Sequence, residues 1–233
     1  MLDATSLSRA CAHAQWHKKQ NPGKEVCLLA ADIARKCAPE MPAIEKRWGE
    51  LLAMQRAGEQ KWFEELCFCL LTANTSAEMG IRVQKKVGYA GFAKAPKNRL
   101  PALLKDAGSR FYNTRAKYIL LARKHDGKLK KTVRAQGNVY RAREWLVGNV
   151  KGMGYKEASH FLRNVGYGDV AILDKHILSL LRRYGLIGEF RTMNKRRYIA
   201  VEHVLRQLSD VMHMPLGKLD LCLWYMKTGK VLK

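Results

Sequence analysis

The stretch Val150–Ile177, VKGMGYKEASHFLRNVGYGDVAILDKHI, has two closely spaced glycines, a lysine soon after them and an aspartate at the end of an apolar run. Gly152 and Gly154 can adopt backbone angles that other residues avoid. They predict a tight hairpin between a helix that ends near Asn149 and another that begins near Tyr155. Such a turn directs backbone N–H groups outward at a helix N-terminus, where a phosphate can bind.

Lys156 falls in the first turn of the second helix, where its charge opposes the helix dipole. Local stability therefore does not explain why a lysine occurs there. The positive helix end and the neighbouring cations favour the free amine, which is a nucleophile. The alternative is a lysine that contacts a phosphate group, and Lys156 taken alone favours that alternative.

Asp174 is the second polar residue of interest, because it follows the apolar residues of AILDKHILSLLRR. The segment predicts a new helix with Asp174 at or near its N-cap. Aspartate is a good N-cap residue, so capping alone accounts for its presence. An acid at this position and Lys156 on the hairpin helix can also face one cleft, and both interpretations stay open here.

The charge of the chain indicates a polyanionic partner. Lys and Arg number 43 against 20 Asp and Glu, which gives a formal net charge of +23. Nucleic acid is the commonest partner of so basic a domain. A structural role like that of a ribosomal protein, binding to a membrane surface and a solubility bias are the alternatives. No apolar run approaches the roughly 18 residues of a membrane helix, and no secretion signal is found. We expect an intracellular protein, in the cytoplasm or nucleoid.

The apolar residues recur with helical periodicity along nearly the whole chain, and they predict an all-α protein of about ten to twelve helices. Thr75 and Glu78 predict a capping box at the start of one helix. The six cysteines are scattered without a C-x-x-C pair, so we expect buried thiols and no metal site. His13 and His17 have helical spacing but no third ligand.

The hairpin stretch resembles the helix-hairpin-helix signature of the endonuclease III superfamily of base-excision DNA glycosylases. Together with FCLLTANTSAEMGIRV, FYNTRAKYI and the ending LWYMKTGKVLK, it is similar to the second, mostly archaeal family of 8-oxoguanine DNA glycosylase/AP lyases. The resemblance runs from about residue 25 to the last residue. Only Cys222 follows the hairpin, so the four iron–sulfur cysteines of most endonuclease III homologues are absent.

The resemblance implies a two-lobed helix-hairpin-helix DNA glycosylase fold. One domain would span residues 60–165 as a central helical barrel that ends in the hairpin. The other would combine residues 1–59 and 166–233. Lys156 would attack C1′ of a flipped nucleotide, expel the damaged base and form a Schiff base, and Asp174 would support the sugar cation. A β-elimination would then cut the strand. Base flipping is required because C1′ is inaccessible in an intact stack.

The resemblance also implies residues that hold the base and the DNA. Phe111 and Trp224 would stack on the base, and the C-terminal Lys233 would contact it. For the two aromatic residues the alternative is core packing, and for Lys233 it is a frayed tail. Asn74 would fill the vacated stack, although local capping explains it equally well.

Arg182 and Arg183, with Gly152 and Gly154 of the hairpin, are the remaining predicted DNA contacts. We expect a monomer that acts on double-stranded DNA containing 8-oxoguanine, with no metal, no organic cofactor and no membrane partner. The alternatives are a glycosylase/AP lyase for another oxidised base and a non-catalytic helix-hairpin-helix DNA-binding protein.

Overall fold

The computed structural model describes residues 23–232, and every regular element in that range is helical. Twelve α-helices and two short 3-10 helices occur there, so the prediction of an all-α protein is confirmed for the described part of the chain. None of the helices within residues 23–232 combines the length and the apolar character that crossing a membrane requires.

The helices divide between two compact units. We call Glu50–Tyr167 the central unit and the described parts of Met1–Gly49 and Gly168–Lys233 the terminal unit. Compactness does not show that a unit folds alone, so the predicted domains, 60–165 and 1–59 plus 166–233, stay a prediction. The α-helices are α1 (Lys24–Cys37), α2 (Met41–Ala53), α3 (Glu59–Thr72), α4 (Ala77–Lys94), α5 (Leu100–Asp106), α6 (Tyr112–Ala122), α7 (Leu129–Arg134), α8 (Val139–Asn149), α9 (Tyr155–Asn164), α10 (Lys175–Arg183), α11 (Lys195–Val211) and α12 (Leu216–Thr228). The 3-10 helices are Ala38–Glu40 and Arg123–His125.

The core of the central unit is built around α3. Every residue of α3 from Glu65 to Thr72 is buried, as expected of a helix that other helices surround. It packs against α4, α6, α7 and α9. Trp62 meets Phe161 edge to face, and Asn164 Nδ2 donates a 2.6 Å hydrogen bond to Glu65 Oε1. These contacts fix α9, the second helix of the predicted hairpin, onto the core.

The terminal unit joins α1 from the N-terminal part of the chain to α10, α11 and α12 from the C-terminal part. Helix α1 packs against α11 and α12, and α10 packs against α12. The Cys37 thiol donates a 3.5 Å hydrogen bond to the Cys222 carbonyl, between α1 and α12. Both are buried free thiols, as are Cys67 and Cys69 of the central unit, which confirms the prediction for these four residues. Burial raises the pKa of the Cys67 thiol, which leaves it inert.

Candidate functional site

The predicted hairpin is confirmed. Helix α8 ends at Asn149 and α9 begins at Tyr155, and Val150 and Met153 close the turn between them through a 3.2 Å backbone hydrogen bond. Gly152 has a φ of +88°, in the left-handed region that favours glycine. The turn therefore needs glycine at this position.

Gly152 also needs to be small, because the ring of Tyr118 lies directly against it. A Cβ atom at this position would lie 2.2 Å from Cδ2 of Tyr118, far inside van der Waals contact. Tyr118 belongs to α6, so the hairpin turn rests on another helix of the central unit. The glycine thus permits both the turn and its close approach to α6.

Gly154 has a different role from Gly152. Its φ of −95° is open to any residue, and it is the N-cap residue of α9. Its backbone N–H donates a 3.2 Å hydrogen bond to Oε2 of Glu157, three residues further on. This is half of a capping box, in which a side chain at the third helical position satisfies a free N–H at the helix start. One of the N–H groups expected to bind phosphate therefore already has a partner within the hairpin.

Lys156 lies in the first turn of α9, as predicted. Its Nζ is 3.0 Å from Oε1 of Glu157, the carboxylate oxygen that Gly154 does not use. The Lys156 side chain is 29% exposed and that of Glu157 is 13% exposed. Sequence reasoning missed Glu157, although the Gly-x-x-Glu spacing of a capping box was available as a signal.

A second cation faces Glu157 from α6. The Arg115 side chain is buried and donates a hydrogen bond to the Ala73 carbonyl. Burial lowers the pKa of the Arg115 guanidinium, and the negative charge of Glu157 opposes that change. The carboxylate of Glu157 therefore interacts with two cations and accepts a hydrogen bond from one backbone N–H.

Asp174 is the N-cap residue of α10, so the predicted cap is confirmed. Its Oδ1 accepts hydrogen bonds from the backbone N–H groups of His176 at 2.8 Å and Ile177 at 2.9 Å. Its Oδ2 forms no hydrogen bond with any residue in the described range. Capping thus uses one carboxylate oxygen and leaves the other for a ligand.

The loop before Asp174 is held from α11. The Tyr198 hydroxyl donates a 2.6 Å hydrogen bond to the Ala171 carbonyl and accepts one of 3.4 Å from the Leu173 N–H. Glu202 Oε1 accepts a 2.9 Å hydrogen bond from the Ala171 N–H. Tyr198 and Glu202 are one helical turn apart and buried, so a single face of α11 fixes the position from which α10 starts.

Trp224 of α12 is half-buried and lies in the same unit as Asp174. The ring of His176 meets it edge to face, with 5.3 Å between centroids and an interplanar angle of 88°. The Nε1–H of Trp224 has no acceptor among the described residues. Asp174 and Trp224 are therefore linked through His176, whose contact with Trp224 the sequence did not indicate.

Phe111 and Asn74, both in the central unit, adopt the left-handed conformation, with φ of +54° and +58°. Phe111 is 54% exposed, so the core-packing alternative is wrong for this residue. The guanidinium of Arg110 lies 5.2 Å from the centroid of its ring. An exposed aromatic ring on strained backbone is unusual and is typical of functional positions.

Asn74 is exposed, and it is not the N-cap residue of α4, because Ser76 has that position. The Ser76 hydroxyl accepts a 3.2 Å hydrogen bond from the Met79 N–H. The predicted capping box of Thr75 and Glu78 is therefore wrong. The Thr75 hydroxyl instead donates to the Leu71 carbonyl at the end of α3, at 2.7 Å.

Arg182 and Arg183 end α10 and have different surroundings. Arg182 Nε is 3.1 Å from Glu189 Oε2, and its guanidinium lies over the Phe190 ring. Arg183 is exposed. The predicted base contact Lys233 lies outside the described residues. No group of three or more His, Cys, Asp or Glu side chains suited to a metal ion occurs within residues 23–232.

Comparison with known proteins identifies the family. A family model described as 8-oxoguanine DNA glycosylase matches residues 44–214. The 8-oxoguanine DNA glycosylase/AP lyase of Methanocaldococcus jannaschii is 49% identical over 191 residues, which cover 82% of this chain and 91% of that protein. The protein of the same name from Thermotoga maritima is 47% identical over 205 residues, 87% of this chain and 98% of that one.

Solved structures agree with the sequence comparison. The crystal structure of the 8-oxoguanine DNA glycosylase of M. jannaschii matches with a TM-score of 0.85 and 45% identity, covering 92% of this chain and all of that one. A structure of the M. jannaschii protein in complex with a 15mer DNA containing 8-oxoguanine also matches with a TM-score of 0.85, at 46% identity, over 88% of this chain. The helix-hairpin-helix glycosylase fold expected from the resemblance is confirmed. The chain belongs to the 8-oxoguanine DNA glycosylase family.

Proposed function

We propose that this chain is a bifunctional DNA glycosylase/AP lyase that excises 8-oxoguanine from double-stranded DNA and cuts the strand at the resulting site. The observation that carries the proposal is Lys156 in the first turn of the hairpin helix, in a chain 49% identical to an 8-oxoguanine DNA glycosylase/AP lyase. The net charge of +23 supports a polyanionic substrate. An enzyme that acts on DNA is expected to be located with the genome.

In the proposed reaction Lys156 is the nucleophile. The ammonium first loses a proton, because only the neutral amine has a free electron pair. Nζ then bonds to C1′ of the flipped nucleotide while the bond from C1′ to the base breaks. The electron pair of that bond leaves with 8-oxoguanine, which takes up a proton. Once the nitrogen has lost one proton, the bond between C1′ and the ring oxygen breaks as that oxygen takes up a proton, and the electron pair of the nitrogen forms the C1′=N bond of the protonated Schiff base.

The lyase step follows from the Schiff base. Removal of a proton from C2′ forms a C1′=C2′ double bond while the electron pair of the C1′=N bond moves to nitrogen. The nitrogen pair then re-forms the C1′=N bond, the C1′=C2′ pair moves to C2′=C3′, and the 3′ phosphate leaves with the electron pair of its bond to C3′. Asp174 acts earlier, in the excision step. As the base leaves, positive charge develops on the sugar, and Asp174 Oδ2, which is free of hydrogen bonds within the described residues, stabilises that charge. Charge stabilisation of this kind is commonly the largest contribution to an enzymatic rate enhancement.

Recognition of the base is proposed to rest on Phe111, Trp224 and Lys233. The exposure of the Phe111 ring supports a stacking role, since an aromatic ring stacked on a base contributes about 1–3 kcal/mol. Stacking does not distinguish bases, so polar groups must recognise N7–H and the C8 oxygen of 8-oxoguanine. Asn74 is proposed to fill the vacated stack, and Arg183 to contact phosphate.

Borohydride trapping tests the proposal. The protein is incubated with duplexes that carry one 8-oxoguanine, one undamaged guanine or one pre-formed abasic site, and the covalent adduct is measured. We expect an adduct with 8-oxoguanine and with the abasic site only, and none with Lys156→Gln. Lys151→Gln removes the same charge from the same hairpin and should retain the adduct at saturating DNA.

Two results would contradict the proposal. An adduct with the abasic site but not with 8-oxoguanine would support the lyase and overturn the substrate. DNA binding without any adduct would make the chain a non-catalytic DNA-binding protein.

A further inference from the structure

We propose that Arg143 is a positioning residue that holds the first turn of α9 against α8 and thereby places the Lys156 amine for attack on C1′. This inference rests on the proposed function, because it gives Lys156 the role of nucleophile. Arg143 lies in the middle of α8 and is only 1% exposed. It therefore acts through its neighbours in the hairpin and not by contact with DNA.

Arg143 contacts two residues on one face of α9. Its guanidinium carbon lies 5.3 Å from the centroid of the Tyr155 ring, and its Nη1 donates a 3.2 Å hydrogen bond to Oγ of Ser159. Tyr155 and Ser159 are four residues apart, so they are neighbours on the helix surface. Lys156 directly follows Tyr155 in the chain. The position of the proposed nucleophile thus depends on the residue that Arg143 holds.

Two further contacts on α8 support this arrangement. The guanidinium carbon of Arg143 also lies 5.9 Å from the centroid of the Tyr140 ring, so one aromatic ring from each helix meets the same guanidinium. Glu144, the next residue of α8, accepts a hydrogen bond from the Tyr155 hydroxyl. Tyr155 is therefore held at its ring by Arg143 and at its hydroxyl by Glu144. Rotation of α9 about its axis would break both contacts.

The burial of Arg143 indicates a role in geometry more than in stability. Removing a guanidinium from water is costly, and an apolar side chain of similar volume in such a place is often equally stabilising or better. A planar guanidinium fixes direction, because its N–H groups form a rigid fork and its faces stack on aromatic rings. Lysine lacks both properties. The reason for an arginine here is then the orientation that it gives to α9.

The test measures single-turnover excision of 8-oxoguanine at increasing protein concentration, which gives a maximal rate constant and a half-saturating concentration. For Arg143→Met we expect the maximal rate constant to fall by about 10-fold or more, because a nucleophile displaced by about 1 Å reacts far more slowly. The half-saturating concentration should stay close to that of the wild type, since Arg143 is buried. A purely structural role predicts a lower thermal unfolding midpoint and an unchanged maximal rate constant below that midpoint.

Two other substitutions separate geometry from charge and from folding. Arg143→Lys keeps the charge but loses the planar group, so it should not restore the rate. Ser159→Ala removes the acceptor on α9 and keeps the ring of Tyr155, so the rate should fall by less than in Arg143→Met. If Arg143→Met does not fold, the comparison of Ser159→Ala with the wild type decides. Arg141→Met, which removes an exposed arginine from the same helix, is the control and should keep the wild-type maximal rate constant.

The possible results are distinguishable. A wild-type maximal rate constant in Arg143→Lys would show that charge alone is sufficient and would overturn the geometric role. Wild-type values in both Arg143→Met and Ser159→Ala would overturn any role of Arg143 and leave the proposed function standing. If the wild type neither excised 8-oxoguanine nor formed an adduct with an abasic site, the proposed function would fall and this inference with it.

Discussion

The hairpin turn and the loop before Asp174 hold their reactive side chains in different ways. Lys156 is held by its own turn, since Glu157 and Gly154 are its close neighbours in the chain. The loop before Asp174 is held by residues of α11, which are 25 to 31 positions away in sequence. The contacts of Lys156 should form whenever the hairpin forms. The contacts of the loop before Asp174 depend in addition on the packing of α11 in the terminal unit. Substitutions should therefore have separable effects in the two regions.

The largest effect that bears on this comparison is expected at Asp174. Asn caps helices as well as Asp does, so Asp174→Asn should change the free energy of unfolding by only about 0.5 kcal/mol or less. Loss of the charge should slow excision by about 100-fold or more, as removal of a charged catalytic group usually does. Single-turnover excision of 8-oxoguanine and thermal unfolding measure the two effects. Wild-type excision by Asp174→Asn would make the residue a helix cap only.

The next largest effect is expected at Gly152. In Gly152→Ala the new Cβ would lie 2.2 Å from the Tyr118 ring on a backbone with φ of +88°. Overpacking and strain together should lower the free energy of unfolding by about 2 kcal/mol or more. Chemical denaturation measures this change. The control is Gly148→Ala in α8, where a Cβ meets nothing within 4 Å and alanine should be neutral or stabilising. Equal stabilities of the two variants would contradict the close approach.

A smaller effect is expected at Tyr198, in the terminal unit. Tyr198→Phe removes the hydroxyl that binds the Ala171 carbonyl and the Leu173 N–H, and it should lower the free energy of unfolding by about 1 kcal/mol. Excision should slow as well, because the loop before Asp174 loses part of its support. Tyr225→Phe in α12 is the control for stability, since the Tyr225 hydroxyl forms no hydrogen bond within the described residues. A Tyr198→Phe variant with wild-type stability and rate would show that α11 does not position the loop.

The smallest effect concerns the far end of α10. The Tyr184 hydroxyl donates a hydrogen bond to Asp32 of α1, and this contact, with Arg35 and Lys36, lowers the pKa of Asp32 from 3.8 to about 2. Because the pKa of Asp32 is lower in the folded state, its ionised carboxylate stabilises the folded protein above pH 3.8. This stabilisation is lost as the pH falls towards 2. Tyr184→Phe should raise the pKa of Asp32, which carboxyl NMR titration measures.

A matched variant controls for the loss of a hydroxyl elsewhere in the chain. Tyr89→Phe removes a hydroxyl that donates to Asp126 in the central unit. It should leave the titration of Asp32 unchanged. An unchanged pKa of Asp32 in Tyr184→Phe would show that Tyr184 does not hold α10 against α1.

The sequence predicts the local features well. The end of α8, the start of α9 and the cap at Asp174 depend on residues close together in the chain, and all three are confirmed. The predicted N-cap of α4, Thr75, is one residue away from the observed N-cap, Ser76. Both residue types cap helices well, and only the direction of the chain after α3 decides between them.

The long-range contacts could not be predicted from the sequence. Nothing in the spacing of Tyr198 and Glu202 indicates that they bind the loop before Asp174. The exposure of Phe111 depends on how α6 packs, so periodicity did not separate a binding role from a core position. The capping role of Glu157 could have been predicted from its spacing to Gly154. Its contact with Lys156 depends on side-chain directions, which spacing alone does not give.

The identity of the lysine that bonds to DNA tests the account most directly. The wild-type protein is trapped with borohydride on a duplex containing 8-oxoguanine, the adduct is digested with protease, and mass spectrometry locates the modified residue. The account predicts modification at Lys156, in the peptide that contains the hairpin. Modification at another lysine, such as Lys151 of the same hairpin or the C-terminal Lys233, would contradict it.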